Sequence, residues 1–313
     1  MRHLLAACVV AALPVAVASA AVFNDYRPVL HDRFVDGDPS RPNRSFIGST
    51  HDLTGVGIGG RGAILITPQH YITAEHFKTN SPRFLGSDGV VRQPGRDTSF
   101  GSNGFVTVTT TFDPDGPNGA EPERTQGSDI TIGKLASPLP MDQFTPFTLA
   151  DATAEFLAGC EVLVFDQFDR AQRNFIDETF LTAFGDGNGG LRNPTVVNSF
   201  DVTPGAADEA FLQGGDSGHA MLLRTEGQVF ALGTNFGIFD ASEDDDPDTT
   251  IDVNFSSYLG PYVDQIQAII DGDNASSGTS YDLNVRRFET VPEPATLALL
   301  GLTPLLLARR RAG

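Results

Sequence analysis

The sequence predicts an all-β fold of antiparallel barrel or sandwich type, closed by a single C-terminal helix. Three observations lead there. Among 313 residues, glycine (33) and proline (20) are frequent, phenylalanine (23) is the dominant aromatic and tryptophan is absent. That balance suits a turn-rich β protein better than a helical bundle. Apolar runs of strand length, alternating or continuous, recur between turn signals. A sustained helical period appears once, in "YLGPYVDQIQAII" (Tyr258–Ile270). The length allows one large core or two modest ones.

In chain order, residues 21–44 are polar, contain proline and read as irregular. "AILITP" (Ala63–Pro68), a Pro-Gln-His turn and "YITA" make a strand–turn–strand unit. "FVTVTTTF" (Phe105–Phe112) alternates strictly, as a half-buried strand does. "DITIGKL", "CEVLVF", "NFIDETFLTAF", "HAMLLR" and "QVFALGTNF" follow as further strands. The proline-interrupted stretch 136–159 has weak strand character and marks a boundary between two barrels. In the closing helix Tyr262, Ile266, Ile269 and Ile270 fall on one face. Residues 273–290 read as a polar spacer, and no internal repeat is visible.

Both ends read as addresses rather than structure. Residues 1–20 carry Arg2, an apolar run from Leu4 to Val17 and the small residues Ala18-Ser19-Ala20, a secretory signal with cleavage expected after Ala20. "LAAC" (Leu5–Cys8) spells a lipoprotein box, but only a four-residue apolar stretch precedes Cys8, too short for a signal core. Residues 291–313 hold Pro292-Glu293-Pro294, an apolar segment 295–308 and three terminal arginines. Fourteen residues at ~1.5 Å each reach about 21 Å, short of a ~30 Å hydrocarbon core. This order of parts resembles the PEP-CTERM sorting signal of exopolysaccharide-producing bacteria. The resemblance implies transient membrane contact through the tail and its removal by an exosortase, as signal peptidase would remove the leader.

The formal charge of −19 argues against nucleic acid or an anionic membrane surface as partner. Removing both ends takes away four arginines and one glutamate, so the mature domain is more acidic still. It also leaves Cys160 as the sole cysteine, so the core must hold without an internal disulfide. Within "CEVLVF", Cys160 reads as a small buried hydrophobe. Two segments, Asp113–Glu123 and Ala241–Thr250, cluster carboxylates with proline and glycine. Calcium takes six to eight oxygens from such loops, although neither has the twelve-residue calcium-loop pattern. Solvated acidic loops are the plainer reading, and no cofactor is expected beyond calcium.

The chemistry turns on "FLQGGDSGHAM" (Phe211–Met221). A serine hydroxyl becomes a nucleophile only beside a base and an oxyanion site. Of the mature histidines (His31, His51, His70, His76 and His219), His76 has the most telling setting, just past the "TA" that ends the second strand. "TAEH" resembles the "TAAH" motif of the chymotrypsin/trypsin family. Asp129, opening the aliphatic run of "SDITIGKL", resembles that family's aspartate segment, and Ser217 lies inside "GGDSG". The order His, Asp, Ser is the chymotrypsin order and differs from that of subtilisins and α/β-hydrolases. The resemblance covers residues 45–272 and implies two antiparallel six-stranded barrels with a C-terminal helix. It implies roles as well: His76 as general base, Asp129 as its orienter, Ser217 as nucleophile, and the amides of Gly215 and Ser217 as oxyanion hole. Phe211 would stand near the base of the primary pocket, and "GTNFG", with Asn235 and Phe236, would pair with the substrate backbone. A phenyl ring at 211 would disfavour a basic side chain there, with barrel core as its plain alternative.

Four departures from the family pattern stand out. Phe77 occupies a position where many members have cysteine, Glu75 replaces a small residue, and His219 replaces a glycine. No "IVGG"-like new N-terminus is visible beyond the distant candidate "RSFIGS" (Arg44–Ser49), which leaves the partner of Asp216 open. The leading expectation is an exported serine endopeptidase acting on peptide or protein substrates. The alternatives are a catalytically silent version of the fold used as a surface or matrix binding module, and a structural β-sandwich. The sandwich reading expects His76, Asp129 and Ser217 far apart.

Overall fold

The computed structural model describes residues 21–23, 25–112, 123–184, 191–200, 208–239 and 252–289. The chain enters through β1 (Val22–Phe23) and the short helix α1 (Pro28–His31). It then builds β2 (Ile64–Leu65), β3 (His70–Ala74), β4 (Phe84–Leu85), β5 (Val91–Arg92), β6 (Phe105–Phe112) and β7 (Arg124–Lys134). β2, β3, β7 and β6 form one antiparallel sheet in that order, and β4 pairs with β5. Isolated bridges carry the ring onward: Val56 with Ile64, Gly57 with Phe84, and Arg96 with Leu135.

The connection after β7 holds β8 (Leu149–Ala152) and helix α2 (Ala154–Leu157), whose first turn is capped by Thr153. The second unit follows with β9 (Glu161–Phe165), β10 (Ala171–Phe175), β11 (Glu178–Phe184), β12 (Leu191–Phe200), β13 (Ala210–Phe211), β14 (Ala220–Thr225), β15 (Gln228–Phe239) and β16 (Asp252–Tyr258). Its main path runs β10-β9-β14-β15-β16-β12-β11, all antiparallel. Helix α3 (Val263–Ser277) closes the unit, and β17 (Val285–Phe288) ends the described chain. The fold class is the expected one: all-β, in two antiparallel units with one C-terminal helix.

Side-chain alternation builds three apolar layers from these strands. Leu65, Tyr71, Phe84, Phe105 and Leu135 fill the first unit, while Val162, Val164, Met221, Leu223 and Leu232 fill the second. The intervening residues (Ile64, Ile72, Ile130 and Ile132 from one side, Leu163, Phe165 and Leu222 from the other) meet between them. Tyr262, Val263, Ile266 and Ile270 of α3 join that middle layer, with Ile269 packed at its margin. The two units therefore share a core, and packing across it sets their relative placement.

The folded region extends past 45–272 at both ends. Residues 21–44, read as irregular, are tied in: β1 pairs with β13, and the buried Arg33 guanidinium donates to the carbonyls of Leu53 (2.7 Å) and Val56 (3.3 Å). Residues 273–290, read as a spacer, instead complete α3 and supply β17, which runs parallel to β8 and buries Phe288. Strand β17 escapes notice because three of its four residues are exposed. Cys160 is half-buried rather than buried; its thiol, pushed up by burial, donates to the Phe156 carbonyl (3.0 Å). The secretory leader, most of the first acidic loop, all of the second and the apolar segment 295–308 lie outside the described residues. No helix among the described residues is long and apolar enough to cross a membrane, and none of their His, Cys, Asp and Glu side chains cluster as a metal site would require.

Candidate active site

Register brings the first two residues together. β3 pairs with β7 so that Ala74 faces Ile130, and the next amide, Glu75 N–H, donates to the Asp129 carbonyl (3.1 Å). One residue on, His76 leaves the sheet above the Asp129 side chain. The Asp129 carboxylate accepts from the His76 backbone N–H (2.9 Å) and stands 2.9 Å from Nδ1 through both oxygens. It has no exposed surface; burial pushes its pKa up, and the bonds from His76 pull it back. An ionised Asp129 has no use for a ring acceptor, so the imidazole proton belongs on Nδ1 and Nε2 is left to accept. Nε2 lies 2.9 Å from Ser217 Oγ, the distance at which the hydroxyl donates to it.

Ser217 sits in the turn that feeds β14, and its position is over-determined. Gly218 N–H donates to the Asn235 carbonyl (2.7 Å), and Asn235 N–H donates to the His219 carbonyl (2.9 Å), locking the turn to β15. The segment before β2 presses on the same turn: a Cβ on Gly62 would lie 2.2 Å from the Gly218 carbonyl carbon, so only glycine fits. This is where the two units touch at the site. His219 is buried, its pKa lowered by that burial, with Nδ1 3.1 Å from the Asp216 carbonyl.

Gly215 has φ +105°, a conformation closed to most L side chains, and an added Cβ would meet the Gln167 amide at 2.6 Å. Among the described residues, neither the Gly215 nor the Ser217 amide has an acceptor within the protein. Two unspent N–H groups on one strained loop beside a serine are what an oxyanion hole requires. Gln167, which sequence reasoning missed, braces this loop: its backbone N–H donates to Asp216 Oδ1 (3.1 Å) and its Nε2 to the Gly214 carbonyl (3.2 Å). No sequence signal marks it, since it comes from the β9–β10 turn.

The open question of Asp216 has a direct answer. Its carboxylate accepts from the amides of Gln167 and Gln213 (2.8 Å). Burial, with the neighbouring Asp166 charge, pushes its pKa up to about 7 despite those bonds. Asp166 itself is paired with Arg170, whose guanidinium lies over the Phe23 and Tyr26 rings of the N-terminal segment. "RSFIGS" is anchored at its centre, with Phe46 in the shared core and Ile47 N–H donating to the Leu30 carbonyl, while Arg44, Ser45 and Ser49 are exposed. The added charge of Glu75 is also spent: it pairs with Lys78 and accepts from the hydroxyls of Thr107 and Thr131 (2.5 Å each).

A cavity of about 210 Å³ opens beside Ser217, lined by Leu212, Gln213, Gly214, Asn235, Phe236 and Ile238 together with His76, Asp216 and Ser217. Of the expected substrate-binding residues, Asn235 and Phe236 line it. Phe211 is not among the lining residues: it is buried in β13, paired with Val22, and Leu212 stands at the cavity wall. The side-chain amide of Asn235 is committed to the Phe165 carbonyl (2.8 Å) and to Ser256 Oγ. With Asp216 turned to backbone amides, the cavity offers no free carboxylate to a basic side chain.

No family model and no curated protein matches the sequence. Solved structures do match in shape. Kallikrein-related peptidase 10 is 12% identical, with 71% of this chain and 96% of that one covered at a TM-score of 0.42. An inactive mutant of the murine norovirus NS6 protease is 12% identical, with 65% and 96% covered at a TM-score of 0.37. Neuropsin, a serine protease expressed in mouse brain, is 15% identical, with 67% and 89% covered at a TM-score of 0.37. At TM-scores this low the likenesses carry no argument about chemistry, and the candidate site rests on its own hydrogen bonds.

Proposed function

We propose that the chain is an exported serine endopeptidase that cleaves peptide bonds through an acyl-enzyme. The observation that carries this reading is the continuous hydrogen-bonded line Asp129–His76–Ser217, with 2.9 Å at each link. Ser217 Oγ attacks the scissile carbonyl as His76 Nε2 takes its proton; His76⁺ then protonates the leaving amine, and water repeats the sequence in reverse. Asp129 holds the Nδ1 proton and stabilises the imidazolium. The amides of Gly215 and Ser217 receive the oxyanion, a contribution of about 3 kcal/mol for each donor. The apolar cavity favours a small or aliphatic side chain on the acyl side of the cleaved bond. Export rests on residues 1–20 as the substrate of signal peptidase. Placement at the cell envelope or matrix of a Gram-negative-type bacterium rests on residues 291–313 as the substrate of an exosortase.

Fluorophosphonate labelling of purified residues 21–290, read by peptide mass, tests the reading. Adduct on Ser217 that is lost in Ser217→Ala and His76→Ala supports it. A folded protein that never labels, even after limited proteolysis near Arg44, leaves the catalytically silent binding module as the better account.

A further inference from the structure

A second groove of about 380 Å³ shares no lining residue with the 210 Å³ cavity. Its walls are Gly59, Gly60 and Arg61 from the loop before β2, and Thr79, Ser81 and Arg83 from the chain between β3 and β4. Both walls are continuous with the candidate site. Gly62, next to Arg61, abuts Gly218 and His219, and the other wall begins three residues after His76. Arg61 spans the two: its guanidinium lies 4.3 Å above the Phe77 ring and donates to the Lys78 carbonyl (2.7 Å). His76 hands its proton to the leaving amine, and Phe77, Lys78 and Thr79 lead from it into this groove, which puts the groove within reach of the leaving-group side of a substrate.

The groove is cationic although the chain as a whole is acidic. Arg61 and Arg83 are both exposed, no carboxylate lines the groove, and among the described residues neither guanidinium has an acidic partner within ion-pair distance. Asp169, the carboxylate behind Gly59, accepts from the Gly59 amide (2.8 Å) and is also stabilised by the charges of Arg33 and Arg83, although it forms no ion pair with Arg83. In a chain of net charge −19, two unpaired guanidiniums bordering one polar groove are a place where an anionic side chain gains rather than loses. Guanidinium binds carboxylate with two parallel N–H···O bonds, stronger than neutral hydrogen bonds.

We propose that this groove is the subsite for the leaving-group segment of the substrate, and that Arg61 and Arg83 select an aspartate or glutamate there. The inference rests on the endopeptidase reading and deepens it. Its test separates the two. The acyl-enzyme is formed from an activated ester of a small apolar acyl amino acid and partitioned between water and added dipeptide amides. The amine of the dipeptide attacks the Ser217 ester, the C–O bond breaks, a new amide forms, and the proton returns to Ser217 through His76. Dipeptide amides with aspartate or glutamate in either position are expected to outcompete their lysine and alanine counterparts by about tenfold at low salt, less at high salt. Arg61→Gln and Arg83→Gln should each erode that ratio, and Arg83→Glu should turn it toward lysine, a gain that misfolding cannot produce. An ester that acylates and deacylates without discriminating the amides overturns the subsite and leaves the endopeptidase standing, as does a preference unchanged in all three variants. Failure of Ser217 to acylate at all overturns both.

Discussion

At Asp129, burial and bonding act against each other, and the balance decides what the residue can do. Burial alone favours the neutral acid; the backbone N–H and ring N–H of His76 favour the anion that orients the ring. Asp129→Asn keeps the shape but presents an amide that no longer demands a proton on Nδ1. We expect turnover to fall by about 10⁴-fold with little change in the unfolding midpoint, measured by ester hydrolysis and thermal denaturation on the same sample. Asp216 is the opposite case. Its pKa, raised to about 7 from 3.8, means that the folded protein holds this proton more tightly than the unfolded chain does. Its contribution to stability is therefore present below about pH 4 and is lost as pH rises through about 7, up to about 4 kcal/mol in all. Asp216→Asn should flatten the fall in unfolding free energy between those pH values, whatever it does to absolute stability. Denaturant titrations at both ends of the range read this directly; a slope equal to that of the unsubstituted protein would refute the assignment.

Among the elements, the most informative contact ties β3, β7 and α3 at one buried point. Lys134 of β7 donates to Asp273 of α3 (2.8 Å), and His70 of β3 stands 3.3 Å from the other oxygen of that carboxylate. Burial drives the His70 pKa down to about 4, so this histidine is neutral near pH 7 and Lys134 alone balances Asp273. Lys134→Met strands a buried carboxylate and should cost about 3–5 kcal/mol in denaturant unfolding, whereas adding Asp273→Leu to that variant should restore most of it. Legibility follows the same physics. Phe105–Phe112 is visible as a strand because its alternation is apolar against threonine. Asp252–Tyr258 is hidden because all its buried positions but Tyr258 are polar: Asn254 accepts from Leu212 N–H (2.7 Å) and donates to the Ala210 carbonyl (3.0 Å), while Ser256 donates to Asn235. A strand whose inward side chains serve hydrogen bonds gives no hydrophobic period to read.

Across the molecule, the first and last described segments pack onto the two units, through β1 on β13 and β17 on β8. Phe288 of β17 lies 4.9 Å from Phe156 and 5.1 Å from Phe230, ring centroid to centroid, with 5% of its surface exposed. Phe288→Ala should lower the unfolding free energy by about 3–5 kcal/mol; a spacer residue would show no change. At the other end, Arg170 is held between Asp166 and the rings of Phe23 and Tyr26, so the first described residues brace the turn that carries Gln167 and hence the loop of Gly215.

The sequence by itself determined the fold class, the order of most strands, the face of the closing helix, and three residue types in an order that calls for nucleophile, base and orienter. Those are local or one-dimensional properties: periodicity, turn chemistry and spacing along the chain. Only the tertiary structure decided that His76 Nε2 stands within bonding distance of Ser217 and that backbone amides satisfy Asp216. It also placed Leu212 rather than Phe211 at the cavity wall, and Arg61 and Arg83 along one groove. The reason is that these contacts join segments far apart in the chain, through carbonyls, amides and glycine close approaches that carry no side-chain signature. Residue type announces what a side chain can do; which neighbour it does it to is set by packing.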